Sequence, residues 1–347
     1  MTTADPGVCT EPELTGPVDL CTPDGRLNRA AVGWSRQPVH RCALPGSWGR
    51  RKRWDYWCIA TPTHVVSVTY ADVDYLGLAD VWFLDLTTGR SLSRSAMSPL
   101  GRATSLPDEV AGGSMSFAGR GLRLAITEER GATRLTAAGA DFECDVVLVR
   151  PEGHESLSVV IPWSDRRFQC TTKDNTRPAT GSLRWGDEEW RFGGAGEAYG
   201  CLDYGRGKWP YRTRWNWGAA AGLVRVGYEA EHRVGLQLGG KWTDGTGMTE
   251  NALVVDGRLS KLSEELVWYY DRTNWLAPWT IRTPRSDRVA LTFTPVYDKV
   301  GRLQAGVASS SVDQCFGTYA GTVVPDDGEQ IAVADLFGWA EESSWRW

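Results

Sequence analysis

Hydrophobic residues in this 347-residue chain recur at every second position and almost nowhere at helical spacing. Val66, Val68 and Tyr70 share one parity, as do Leu122, Leu124 and Ile126, and Phe142, Cys144, Val146 and Leu148. A period of two sends successive side chains to opposite faces of a strand. Gly and Asp break these runs at roughly ten-residue intervals, as at Thr87-Thr88-Gly89-Arg90, and Gly186-Asp187 and Asp256-Gly257 read as hairpin turns. The best helical candidate, Asp298 to Val307, is short and holds Gly301 and Gly306. Asn28 can cap a single helical turn over Asn28 to Val32. The pattern predicts an all-β protein, a sandwich or barrel and not βαβ units.

The most specific stretch runs from Asp203 to Gly222. Its first part, Asp203 to Pro210, has Gly205 and Gly207 flanking Arg206 and then Pro210, and reads as a shaped loop. Its second part alternates. Thr213, Trp215, Trp217, Ala219 and Ala221 take one face, and Arg212, Arg214, Asn216, Gly218 and Gly222 the other. The downstream Gly and Ala residues leave room for a close approach to the sheet. Loop and strand together are expected to form one wall of a pocket. The alternative is that Trp215 and Trp217 fill the core while Arg212 and Arg214 face solvent. Eighteen tryptophans beside eight phenylalanines fit either flat binding surfaces or core filler. A similar aromatic-Gly-Arg-x-Lys string at Trp48 to Lys52 hints at two related halves.

Net charge of −5 argues against a general nucleic-acid surface, despite the basic run Arg50 to Arg53. No run reaches transmembrane length and no secretory leader is visible, so a cytoplasmic protein without an integral membrane segment is expected. Eight scattered cysteines without a C-x-x-C, and four histidines, give no metal-ligand spacing. Reduced structural thiols are the simpler expectation. There is no nucleophile elbow, phosphate loop or dinucleotide fingerprint, and Gly193 to Gly196 has the wrong spacing for one, so no cofactor is expected. In the last strand Asp335 shares parity with Ile331, Val333, Phe337 and Trp339. It reads as a buried acid, or as one bonded to an Arg or a backbone N–H.

Pro23 to Asn28, Gly49 to Trp57, Asp203 to Gly222, Thr249-Glu250-Asn251-Ala252, Val255 to Leu259, Gln314 to Gly317 and the Arg346-Trp347 end together resemble a bacterial family, domain of unknown function 2804. More distantly, the chain resembles the lipocalin-like carotenoid hydratase, tocopherol cyclase and Diels–Alderase group. That resemblance implies two packed lipocalin-like β-barrels or curled sheets around an apolar site. The chain then divides into an N-terminal strap (1–50), a first barrel or sheet (51–190) and a second (191–347).

The chemistry open to such a chain is cofactor-free. Asp203, Glu250 and Asp335 are the candidate acids, and Arg206 and Lys208 can steady an oxyanion. Tyr204 and Tyr211 can donate protons. Trp209, Trp215, Trp217 and Trp242 offer π-faces to a cation or an extended ring system, with Arg214, Asn216 and Asn251 as polar ligand contacts. Three functions remain open: a hydratase, cyclase or isomerase acting on a hydrophobic small molecule, a non-catalytic binding protein for a lipid or pigment, and a carbohydrate-binding or carbohydrate-cleaving protein.

Overall fold

A computed structural model describes residues 9–193, 198–226, 230–305 and 308–347. Gly194 to Gly196, Gly306 and Val307 lie outside them. Among the described residues the only helical element is a 3-10 turn, Arg29–Ala31, whose first turn is capped where Asn28 accepts from the Ala30 N–H. The rest is strand and turn, arranged as a nearly closed barrel and a curled half-barrel. No helix among the described residues is long and apolar enough to cross a membrane.

The barrel sheet runs, in spatial order, through Ser91–Pro99, Leu76–Asp85, His64–Asp72, Arg51–Ala60, Tyr199–Lys208, Arg167–Trp185, Phe142–Val149, Ala132–Ala138, Leu122–Glu129 and Met115–Gly119. Its longest strand, Arg167–Trp185, changes partners midway. Before Asn175 it pairs with Leu157–Ser164 and Tyr199–Lys208, and after Arg177 mainly with Phe142–Val149 and Glu188–Phe192. The register breaks between Asp174 and Arg177, where Thr176 has a φ of 58°. The half-barrel runs through Arg258–Leu262, Asn251–Val255, Ala230–Gly240, Arg212–Val226, Ile331–Arg346, Ala308–Val323, Val289–Ala305, Trp279–Arg282 and Val267–Tyr269. The chain passes from one sheet to the other between Lys208 and Arg212.

Each sheet has its own apolar core. Two further clusters join them. One sets Cys58, Val65, Trp82, Leu84 and Cys201 of the barrel against Trp217, Ala219, Phe316 and Trp339 of the half-barrel. The other gathers Trp34, Trp209, Trp242, Met248 and Val254. The N-terminal segment ties both sheets: Lys208 Nζ donates to the Pro45 carbonyl 2.6 Å away, and Lys261 Nζ pairs with Glu11 at 2.8 Å.

Several expectations are corrected. Asp203 to Lys208 is not a loop but part of a strand, Tyr199–Lys208. Gly205 and Gly207 are there for close packing and not for turning. A Cβ on Gly205 would collide with the Trp54 ring, and one on Gly207 with Gln169 and the Phe168 carbonyl. The two aromatic-Gly-Arg-x-Lys strings do not mark equivalent places in two halves. Both belong to the barrel sheet and meet at their ends, Lys52 opposite Gly207 and Arg51 opposite Lys208, where Arg51–Ala60 pairs antiparallel with Tyr199–Lys208. The room left by Gly218 and Gly222 is taken by Tyr319 and Leu336. Asp335 is exposed. An irregularity in the pairing with Ala308–Val323 shifts parity there, so Ile331, Val333 and Leu336 point inward and Asp335, with a φ of 54°, does not.

Candidate functional site

Where the sheets meet, side chains of opposite charge are buried together. Lys173 projects from the barrel strand Arg167–Trp185, opposite Asp203 in the neighbouring strand. Its ammonium lies 2.9 Å from Asp203 Oδ1 and 3.5 Å from Glu250 Oε2, and sits 4.2 Å from the centre of the Trp217 ring. Glu250 enters from the half-barrel side, just ahead of Asn251–Val255. Its Oε1 accepts from the Trp242 indole N–H, and its Oε2 has no hydrogen-bond partner. Gly239 makes this placement feasible, since a Cβ there would overlap the Glu250 side chain. Asp203 also accepts from Thr171 Oγ1 at 3.1 Å. It is the most open of the three, with 14% of its side chain exposed against 5% for Lys173 and 2% for Glu250.

Burial sets the electrostatics. It pushes the Glu250 carboxyl from an ordinary 4.5 up to about 7; Lys173 opposes this shift, and Asp203 adds to it. Burial alone would lower the Lys173 ammonium, but the flanking carboxylates outweigh it and raise its pKa. A third acid, Glu341, faces the same seam. It accepts from the Trp215 indole at 2.8 Å, from Gln314 Nε2 at 3.0 Å and from Ser343 at 3.1 Å, and burial raises its pKa. Gln314 in turn reaches Tyr56 of the barrel. The seam thus holds one carboxyl that is half protonated near neutrality beside a fixed cation.

Tryptophans bound it. Trp209 packs against Trp54, Trp163, Trp215, Trp242 and Trp347 with ring centres 5.0 to 5.8 Å apart, and is stacked on Trp242. Trp217 meets Tyr56 and Trp339 edge-on. These indoles touch one another, with N–H groups bonded as Trp209 to Gln169 and Trp217 to Gln237.

The family model for a domain of unknown function, DUF2804, matches residues 11–347. The chain belongs to the DUF2804 family. No curated protein sequence matches it significantly. Among solved structures, the DUF2804 fold here is similar to CghA, at 12% identity over 87% of this chain and 93% of that one, with a TM-score of 0.50. A Nitrosomonas europaea structure assigned as AttH is 12% identical over 86% of this chain and 98% of that one, with a TM-score of 0.48. Kievitone hydratase from Nectria haematococca is 11% identical over 85% and 88%, with a TM-score of 0.44. At these identities the likeness shows the fold alone.

The DUF2804 chain brings Asp203, Glu250, Trp217 and Trp242 into one site, with Trp209 and Trp215 behind them. The other sequence candidates lie elsewhere. Arg206 is fully buried, bonded to Asp55 at 2.7 Å and to the carbonyls of Trp54, Gly205 and Pro107. Lys208 serves the N-terminal segment. Tyr204 donates to the Asp108 carbonyl beneath the Arg206 guanidinium. Tyr211 is exposed, with Arg50 over its ring. Asn251 accepts from the Gly239 N–H and donates to the Glu264 carbonyl, holding the turn that carries Glu250. Asn216 bonds Tyr270 and the Glu341 carbonyl on the far face of its strand. Arg214 lines an open cleft. The sequence reading missed Lys173, Glu341, Gln314 and Tyr56. The Glu341-Glu342 pair inside a strand was the one signal available for Glu341. Lys173 lies in an unbroken polar run, Thr171 to Arg177, which has no apolar alternation to mark a buried face, and the structure buries it.

Proposed function

We propose that this chain is a cofactor-free acid–base enzyme of hydratase, cyclase or isomerase type, acting on a hydrophobic small molecule at the seam between the sheets. One observation carries the reading: a carboxyl titrating near neutrality, with one oxygen free of hydrogen bonds, beside a lysine already neutralised by a second carboxylate. A general acid works best with its pKa near the working pH. Glu250 delivers its proton to an alkene or enol carbon. The resulting cation lies against the Trp217 and Trp242 faces. It is quenched by water, by an internal nucleophile or by proton loss, and the proton released returns to the Glu250 carboxylate or to Asp203. Entry of a ligand requires the packed indoles to part, beginning at Asp203, the most open acid of the site.

Native mass spectrometry of freshly purified protein identifies a co-purified apolar molecule. That molecule, or a close analogue, is then incubated with the wild type and with Glu250→Gln. The expected result is product from the wild type and a loss of about a hundred- to ten-thousand-fold in the variant, with binding retained. Equal turnover by the two proteins would refute the role of Glu250. The close indole packing favours a second reading, a lipid- or pigment-binding protein without chemistry. Recovery of the ligand unchanged from the wild type would support it.

A further inference from the structure

The strand Arg212–Val226 carries a second polar surface, on the face that does not meet the barrel. Strand register lays it out in rows. Arg212 stands opposite Arg346, Arg346 opposite Ser309, and Ser309 opposite Gln304. Two residues along, Arg214 stands opposite Ser344, Ser344 opposite Ser311, and Ser311 opposite Arg302. Directly paired residues share a face, and neighbouring strands lie about 4.8 Å apart. Four guanidinium groups, three hydroxyls and an amide therefore cover one end of the half-barrel in a chain whose net charge is −5. Two open clefts occupy this end. One, of about 510 Å³, is bounded by Arg212, Arg214, Arg346, Ser309, Ser344 and Trp345. The other, of about 410 Å³, shares Ser309 and Ser344 and adds Arg302 and Ser311.

Arg302 pairs with Asp313, and the next acid along the face, Glu342, is taken by Lys241 and Arg272. Arg212 and Arg214 have no carboxylate partner among the described residues. Arg212 and Arg214 lie two residues apart on the same face, so an anion between them offsets their mutual repulsion. Planar guanidinium forks with hydroxyl donors between them suit phosphoryl oxygens, which accept several hydrogen bonds at once.

We infer that this end of the half-barrel binds a phosphoryl group, as a diphosphate or phosphate ester, with Arg212 and Arg214 as its principal cations. The inference does not rest on the chemistry proposed for Glu250. Inorganic pyrophosphate is titrated into the full chain by calorimetry at constant ionic strength. The proteins compared are the wild type, Arg212→Gln/Arg214→Gln, and Arg184→Gln, which removes an exposed arginine of the barrel. A parallel arm measures co-sedimentation with phosphatidylcholine vesicles with and without phosphatidic acid. Saturable binding of pyrophosphate, weakened about tenfold or more in the double variant and unchanged in Arg184→Gln, supports the site with a soluble phosphate as its source. Capture only by phosphatidic acid vesicles, lost in the double variant, supports the site with a lipid headgroup as its source. Absence of binding in both arms, or equal weakening by Arg184→Gln, overturns it.

Discussion

Replacing Glu250 by Gln tests the electrostatics of the seam without any substrate. The Gln side chain keeps the shape and still offers an oxygen to the Trp242 indole, but it cannot titrate. In the wild type the carboxyl moves from an ordinary 4.5 to about 7 on folding, chiefly by burial. Between those values the folded state holds a proton that the unfolded state has released, so wild-type stability falls as pH rises. At about 1.4 kcal/mol per pH unit, the full interval is worth roughly 3 kcal/mol. That contribution is complete below pH 4.5, is being lost through the window up to 7, and is gone above it. Urea unfolding of both proteins at intervals from about pH 5 to about pH 8 reads this group, since side chains that do not interact with Glu250 cancel in the difference; Glu265, lifted to about 7 chiefly by burial and in small part by Glu250, adds a smaller change in the same direction. Relative to its value at acid pH, the stability of Glu250→Gln should gain on the wild type by roughly 3 kcal/mol at the alkaline end. A difference that stays constant across the range would show that Glu250 titrates normally, and would remove the observation on which the acid–base function stands.

Lys173→Met should destabilise the fold by about 3–5 kcal/mol, because Asp203 and Glu250 would be left facing each other in a buried seam without their cation; chemical denaturation measures it, and a loss below about 1 kcal/mol would mean the seam is wetter than its burial implies. The same variant should move the Glu250 titration further above neutrality, visible as an alkaline shift in the pH dependence of unfolding. Gly205→Ala should cost about 1–3 kcal/mol through overpacking against Trp54, read as a lowered urea midpoint; a neutral result would restore the loop interpretation of Asp203 to Lys208.

The fold class was legible because alternation and turn residues act locally: the Trp185 to Glu188 and Val255 to Arg258 hairpins sit where Gly186-Asp187 and Asp256-Gly257 placed them. Long-range pairing was not. Gly205 and Gly207 carry no mark that distinguishes a turning glycine from one crowded by a neighbouring strand, and Trp54 and Gln169, which crowd them, are far away in sequence. Asp335 misled for the opposite reason. Alternation was extended through an irregularity that only the partner strand reveals. Asp203 and Glu250, which the structure sets beside Lys173, stand in distinctive sequence blocks, whereas Lys173 lies in a run of polar residues that looks solvated.

That hidden run explains why the site lies where it does. Between Asp174 and Arg177 the barrel strand changes partners, and Asn175 Nδ2 donates to the Ala220 and Leu236 carbonyls of the half-barrel. Asp174 is held by Arg177 at 2.7 Å and by His154 at 2.8 Å, so the break is fixed by buried polar bonds and not by apolar contact. A strand pinned to the opposing sheet at residue 175 carries its neighbour Lys173 into the gap between the sheets. There a lone ammonium could not remain charged without carboxylates facing it. Asp203 from the adjacent strand and Glu250 from the other sheet supply them. Burial keeps the proton on Glu250, the more deeply buried of the two carboxyls, up to about pH 7, with Asp203 adding to the shift and Lys173 opposing it. The acid of the proposed site is therefore a consequence of how the two sheets are joined, and a substitution that loosened the Asn175 anchor, such as Asn175→Ala, should return the Glu250 titration toward 4.5 by admitting water.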